Sequence, residues 1–244
     1  MKGKEPNFED FRRLADDSSL TPYEKTGFGD SYRKGKEDLV FADIVRALPQ
    51  FGQTGKLVID IGPGCADLPR LTIEHCRATG HQLVFIDSEE MLSQVPDDPI
   101  LTKIAARFPS AEVCERYREA AHIVVMYSVL QHIFGHGCIF DFFDSALSLL
   151  RPGGEMLVGD IPNISKRKRF FASAAGVAFH KGFMKTRADP EVHFNRMESN
   201  SIDDAVVLGL VARARAAGFD AYLRPQASDL PFANRREDIV VCRP

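Results

Sequence analysis

The sequence predicts an α/β fold: a doubly wound, mostly parallel seven-stranded sheet with an antiparallel last strand, an N-terminal helical cap and an insertion after the fifth strand. Three observations lead there. Short apolar runs such as KLVIDIG, QLVFID and AHIVVMY have the texture of strands buried on both faces. Stretches of helical spacing separate them, which implies right-handed βαβ crossovers. Glycines follow the first run directly, where a strand turns into a helix.

The elements follow in order. Asn7 is placed to cap a helix from Phe8 to Ala15, and Asp16–Gly29 reads as loop. Leu39, Val40, Ile44, Val45 and Leu48 recur at helical spacing and predict one helix from Ser31 to Leu48, ended by Pro49 and Gly52. These first residues, 1–52, form the helical cap segment; residues 53–244 carry the sheet. After the strand Leu57–Ile61 come a helix over Leu68–Thr79, a strand over Gln82–Asp87, and a short helix from Ser88 to Gln94. Ile100–Ala106 is a third strand, Ala111–Ala120 a polar helix, Ala121–Tyr127 a fourth strand and Ile139–Leu150 an amphipathic helix. RPGG then turns the chain into a fifth strand, Glu155–Asp160. The rhythm breaks from Pro162 to Asn200, and residues 163–200 read as an insertion covering the substrate. A helix over Asp203–Ala217 and strands over Phe219–Arg224 and Asp238–Cys242 complete the chain.

Composition narrows the function classes. A formal net charge of −3 over 244 residues leaves no global basic field to steer the chain toward nucleic acid. No apolar run approaches the ~20 residues that a bilayer-spanning helix needs. The opening MKGKEPNFEDF has no hydrophobic core of a secretory signal. Cys65, Cys76, Cys114, Cys138 and Cys242 are odd in number and scattered, so neither a zinc site nor a disulfide framework is expected, and a cytoplasmic location is.

Four features carry chemistry. Asp60-Ile61-Gly62-Pro63-Gly64-Cys65-Ala66 joins a strand to a helix, letting backbone approach a ligand; glycine at such turns also serves sterics alone. Asp87 ends the next strand, where an acid can accept from ribose hydroxyls or cap the following helix. Tyr127-Ser128-Val129-Leu130-Gln131-His132-Ile133 lies at the carboxyl end of the fourth strand, the ligand edge of an open sheet. LLRPGGE turns into the fifth strand and is structural.

Together these segments resemble the class I S-adenosylmethionine-dependent methyltransferases. VIDIGPGCADL is similar to their first motif, IDSEEML to the acidic second, YSVLQHI to the fourth-strand motif and LLRPGGEMLVGD to the fifth, over roughly Lys56 to Asp160. The resemblance implies a Rossmann-like domain over residues 53–244 and S-adenosyl-L-methionine as cofactor. It implies that Asp60, Gly62, Pro63, Gly64 and Cys65 border the methionine part, that Asp87 holds the ribose, and that Ser88 and Met91 lie near the adenine. Tyr127, Ser128 and His132 then line the sulfonium end or the substrate mouth. The sequence departs from the pattern twice. Ala66 replaces the third glycine, and the third strand lacks its usual acid, leaving backbone around Ala106 to meet the adenine. Asp67 beside the turn disfavours a diphosphate, and so a nicotinamide cofactor, but tolerates a sulfonium.

Methyl transfer needs in-line alignment, exclusion of water and, for an alcohol acceptor, a base. His132 is the first candidate and Asp160 the second; His180 and His193 belong to the insertion and can enter from above, or be structural. Tyr23, Tyr32 and Arg33 either fold over the cofactor or pack on the surface. The expected acceptor is a small molecule, for example a hydroxyl of a sugar or surface-glycan precursor. GFGDSYRKGKED with IDSEEML faintly resembles methyltransferases of bacterial surface-glycan synthesis. Two alternatives stand beside it: an RNA or protein methyltransferase using the basic run Lys166-Arg167-Lys168-Arg169, and a non-catalytic cofactor-binding scaffold. Oligomeric state is left open.

Overall fold

The computed structural model describes residues 6–196 and 198–244. Residues 1–5 of the cap segment and Met197 of the insertion lie outside the described residues.

The cap segment is a set of short helices, the first two of which carry reciprocal side-chain caps. In α1 (Phe8–Asp16), Asn7 and Asp10 cap each other's backbone N–H groups reciprocally. In α2 (Pro22–Lys25), Thr21 and Glu24 do the same, and Pro22 opens the helix. The helix expected over Ser31–Leu48 is two helices, α3 (Asp30–Arg33) and α4 (Glu37–Ala47). Gly35 turns the chain between them at φ +76°. A short 3-10 turn over Pro49–Gly52 then drives Phe51 into the core.

The sheet uses β1 (Leu57–Ile61), β2 (Gln82–Asp87), β3 (Leu101–Ala105), β4 (Ala121–Tyr127), β5 (Leu150–Pro162), β6 (Asp220–Pro225) and β7 (Arg236–Cys242). Their order is β3-β2-β1-β4-β5-β7-β6, parallel from β3 to β5, with β7 antiparallel to both β5 and β6. The order reverses between β1 and β4, which opens a crevice at their carboxyl ends. Helix α5 (Leu68–Thr79) follows β1, α6 (Glu89–Leu92) follows β2, and α7 (Ala111–Arg116) follows β3 and is shorter than expected. After β4 come α8 (Leu130–His136), which sequence reasoning did not assign, and α9 (Ile139–Leu147).

RPGG is part of β5 rather than a free turn. Its backbone pairs with the C-terminal Arg243, and the register against β4 shifts between Ala121 and Ile123. After β5, α10 (Ile164–Ala172) and α11 (Ala174–Met184) form a helical pair within residues 163–200, and α12 (Asp204–Ala216) precedes β6.

Strand alternation builds two cores. Ile59, Ile61, Val84, Ile86, Val124 and Met126 pack against α9 and α12 on one face. Val58, Leu83, Phe85, Ile123 and Val125 pack against α4, Phe51 and α5 on the other. Because both faces are covered, the central strands are apolar almost throughout, and polar chemistry is confined to their ends. The cap segment is tied to that end as well: Arg12 of α1 forks onto the Glu90 carboxylate of α6 through bonds of 2.6–3.0 Å.

Candidate active site

The turn after β1 tolerates only glycine at two positions. Gly62 and Gly64 have φ of +73° and +68°. A Cβ at Gly62 would lie 2.7 Å from Val129 Cγ2, and one at Gly64 2.7 Å from Thr26 Cγ2. The turn is thus clamped between the end of β4 and the cap segment, with Pro63 at its apex. It is also joined to β2. Gly62 N–H donates to the Ile86 carbonyl over 2.9 Å, and Gly64 N–H donates to Asp87 Oδ2 over 3.1 Å.

Asp87 accepts a second backbone bond from Ser88 N–H at 2.7 Å. Burial still outweighs these donors and pushes its carboxyl up to about 6. Asp60, deeper under the turn, is pushed up to about 8 by burial and by Asp87. Two acids in a dry corner favour a ligand that brings hydroxyl or ammonium donors.

Around this turn lies a cavity of ≈390 Å³. Gly62, Pro63, Gly64, Ala66 and Leu68 form one wall, with Asp87 and Met91 beside them. Ala106, Arg107, Phe108 and Pro109 close the β3 side, with Asp141 and Phe142 of α9. Tyr127, Ser128, Val129 and His132 bound the β4 side. Phe8, Phe11, Thr26, Phe28, Arg33 and Glu37 of the cap segment complete the lining. Of the residues singled out from sequence, Gly62, Pro63, Gly64, Asp87, Met91, Ala106, Tyr127, Ser128 and His132 therefore share one cavity.

Asp60, Cys65, Ser88 and Asp160 stand behind that lining. Cys65 packs with Ala15 and Met91, and Ser88 caps α6 by accepting from Met91 N–H. Asp160 sits at φ +61° beside Ser128 at φ +62°, and the Ser128 hydroxyl donates to Asp160 Oδ2. Arg236 donates to the same oxygen at 3.0 Å and to the Asp160 carbonyl at 2.7 Å. Asp160 N–H in turn donates to Asp238 Oδ1 over 2.9 Å, and Gln226 donates to Asp238 at 3.0 Å.

His132 is half-buried, and its ring meets Phe11 edge-on at 4.7 Å. Burial pulls its imidazole down to about 4, so it is neutral near pH 7. His180 packs on Phe171 and His193 Nε2 donates to the Glu191 carboxylate over 2.6 Å; neither lines the cavity. Tyr23 donates to Asp67 Oδ2 over 2.6 Å, tying the cap segment to the start of α5, while exposed Tyr32 lies against Phe232.

The basic run is largely occupied within the fold. Lys166 donates to the Arg236 carbonyl, Arg167 lies over Phe171, Lys168 reaches the Arg196 carbonyl and Arg169 pairs with Asp204. Sequence reasoning missed the cap-segment wall apart from Arg33. Glu37 stands four residues after Arg33, a spacing that hints at one shared helical face, but the break at Gly35 obscures it.

No protein-family model matches the sequence, and neither does any curated protein. Solved structures do. The plantazolicin methyltransferase BpumL in complex with S-adenosylhomocysteine and a desmethyl plantazolicin analogue superposes with a TM-score of 0.58 at 11% identity, over 97% of this chain and 96% of that one. The CurJ carbon methyltransferase matches with a TM-score of 0.58 at 13% identity, over 97% and 67%. An O-methyltransferase from Nostoc punctiforme, itself assigned only provisionally, matches with a TM-score of 0.55 at 14% identity, over 99% and 63%. The fold is that of the class I methyltransferases. Within this methyltransferase fold the sheet order and the antiparallel β7 agree with the sequence expectation. The acceptors of the three differ in kind, so the fold alone assigns none here.

Proposed function

We propose that the chain is an S-adenosylmethionine-dependent methyltransferase acting on a small-molecule acceptor, with a sugar or glycan-precursor hydroxyl as the leading class. One observation carries this reading: the glycine turn, Asp87, the β3–α9 wall and the end of β4 line a single cavity at the switch point of the sheet.

The residues fit the cofactor. Asp87 offers a carboxylate whose partners are backbone N–H groups, leaving acceptor capacity for ribose hydroxyls. Met91, Ala106, Phe108 and Phe142 offer an apolar slot for a flat base. When bound, the cofactor supplies an electrophilic methyl on a positively charged sulfur. The chain's task is to bind, orient and exclude water. Phe8, Phe11 and Phe28 cover the cavity from the cap side and do the last of these.

For a hydroxyl acceptor the proton goes to a base as the new bond forms. His132 reaches the cavity directly and is neutral, so a ring nitrogen can take that proton. Asp160 acts only through the Ser128 hydroxyl, which it holds in one orientation. The basic side chains of α10 serve the fold and lie away from the cavity lining, which favours a small acceptor over RNA. The five free thiols accord with a cytoplasmic site of action.

Thermal unfolding with S-adenosylhomocysteine or NAD tests the reading. At a ligand concentration of 100 Kd the gain is about 2.7 kcal/mol, a rise of roughly 5–10 °C for a chain of this size. The expected result is a rise with S-adenosylhomocysteine and none with NAD; stabilisation by NAD alone overturns it. Labelled methyl transfer into a metabolite extract separates an enzyme from a binding scaffold, and steeply salt-dependent RNA binding would favour the nucleic-acid alternative.

A further inference from the structure

Five charged side chains reach the cavity: Arg33, Glu37, Asp87, Arg107 and Asp141. Arg33 and Glu37 differ from the other three. They are buried, at 9% and 4% exposure, and both come from the cap segment.

Glu37 Oε2 has no hydrogen-bond partner. An ionised carboxylate in such a place loses hydration without compensation. Burial raises its pKa, Arg33 opposes that, and the charges of Asp67 and Asp160 reinforce it. Those three neighbours locate Glu37 between the start of α5 and the end of β5. Arg33 lies against aromatic faces, its guanidinium carbon 4.6 Å from the Phe28 ring centre and 5.3 Å from that of Tyr127. Its approach to Asp160 is 3.7 Å, beyond hydrogen-bond length. It donates no hydrogen bond among the described residues.

A buried cation and a buried anion with spare donors and a spare acceptor thus share one wall, beside the glycine turn. The cavity lining thus combines an apolar slot at Phe108 and Phe142, the Asp87 carboxylate, and this pair of opposite charges. That set matches a base, a ribose and a zwitterion. We propose that Arg33 and Glu37 read the amino-acid head of the cofactor, Arg33 donating to its α-carboxylate and Glu37 accepting from its α-ammonium. The inference rests on the methyltransferase reading and adds to it two residues from outside the sheet motifs.

Calorimetric binding to the full chain tests it with four probes: S-adenosylhomocysteine, its analogue lacking the α-amino group, its analogue lacking the α-carboxylate, and 5′-methylthioadenosine, which lacks the whole head. In the unaltered protein, loss of the amino group is expected to weaken binding about tenfold or more, the range of a charge-assisted bond. Glu37→Gln is expected to weaken S-adenosylhomocysteine similarly, to leave 5′-methylthioadenosine within about twofold, and to abolish the penalty for the missing amino group, as coupled partners in a double-mutant cycle do. Arg33→Met is expected to act in the same way on an analogue lacking the carboxylate.

The comparison of probes on the unaltered protein stands even if a variant fails to fold. Equal affinity for S-adenosylhomocysteine and the deaminated analogue overturns the proposal while leaving the cofactor assignment intact. An amino-group penalty that persists in Glu37→Gln overturns it too. Failure of the unaltered protein to bind either S-adenosylhomocysteine or 5′-methylthioadenosine overturns the methyltransferase reading and this inference with it.

Discussion

The backbone N–H of Gly64 donates to the Asp87 carboxylate over 3.1 Å, so the turn after β1 and the acid at the end of β2 are one hydrogen-bonded unit. Neither residue positions a ligand independently of the other.

Asp87→Ala is therefore expected to cost more than a ribose contact. It also frees the N–H groups of Gly64 and Ser88. Affinity for S-adenosylhomocysteine should fall by about tenfold or more, in the range for bonds to charged groups. Titration calorimetry reads this directly, and unchanged affinity would place the ribose elsewhere.

Gly64→Ala tests the turn itself. A left-handed φ costs an L-residue about 1–2 kcal/mol, and the new methyl would meet Thr26 Cγ2 at 2.7 Å. The double variant Gly64→Ala with Thr26→Ser removes the clash but keeps the backbone strain. Urea unfolding should show partial recovery in the double variant; full recovery would mean that strain is negligible.

The pH dependence of stability carries a sign that identifies Asp60. Its carboxyl is raised from 3.8 to about 8, so between those values the folded state holds a proton that the unfolded state has lost. Stability contributed by Asp60 is complete below pH 3.8 and is lost as pH rises toward 8. His132 has the opposite sign, lowered from 6.5 to about 4, so its contribution grows from pH 4 to 6.5 and is then constant. From pH 6.5 to 8 the Asp60 trend is no longer offset by His132. The melting temperature of the unaltered protein should fall across that interval, and Asp60→Asn should flatten the fall.

The Asp160 network separates stability from chemistry. Asp160→Ala removes a buried carboxylate from a part-buried Arg236, and breaking buried pairs from one side costs about 3–5 kcal/mol. Ser128→Ala removes a hydroxyl whose net worth is about 1 kcal/mol. Chemical denaturation should rank the two in that order, with Ser128→Ala lowering methyl transfer more than it lowers stability.

His132 predicts a flat rate profile. Because burial keeps the imidazole neutral down to about pH 4, methyl transfer should not decline through pH 6.5, where an ordinary histidine base protonates. A decline centred on pH 6.5 that disappears in His132→Gln would show that bound ligands restore an ordinary imidazole pKa.

What was readable in the sequence follows from where each residue's environment is set. Gln82–Asp87 and Ala121–Tyr127 were bounded correctly because both faces of those strands are buried and the apolar run has sharp polar ends. Periodicity carried the reading straight through Gly35, since Val40 and Ile44 keep their spacing on the second helix whether or not a first one joins it. Pro152 and Gly153 suggested a turn, and Gly153 does turn the backbone at φ +75°, but inside β5, where pairing with Arg243, more than 80 residues away in sequence, continues the strand around it. Helix α8 escaped notice because it buries only Leu130.

The glycine turn, Asp87 and Ser128 were legible because strand ends converge by topology. Glu37 was not. Its charged neighbours Asp67 and Asp160 come from distant stretches that no local pattern brings together, so it looked like one more charge in a polar helix.

One feature of the cavity bears on how such a protein diversifies. Its floor is made by strand ends, while the facing wall from Phe8 to Glu37 is contributed by a leading segment outside the sheet. Floor and wall are encoded in separate stretches of chain and meet through a few contacts, among them Arg12 with Glu90 and Tyr23 with Asp67. Exchange of the first fifty or so residues between homologues that retain those contacts together with Arg33 and Glu37 would transplant acceptor preference onto an unchanged sheet, making this segment a natural unit of recombination.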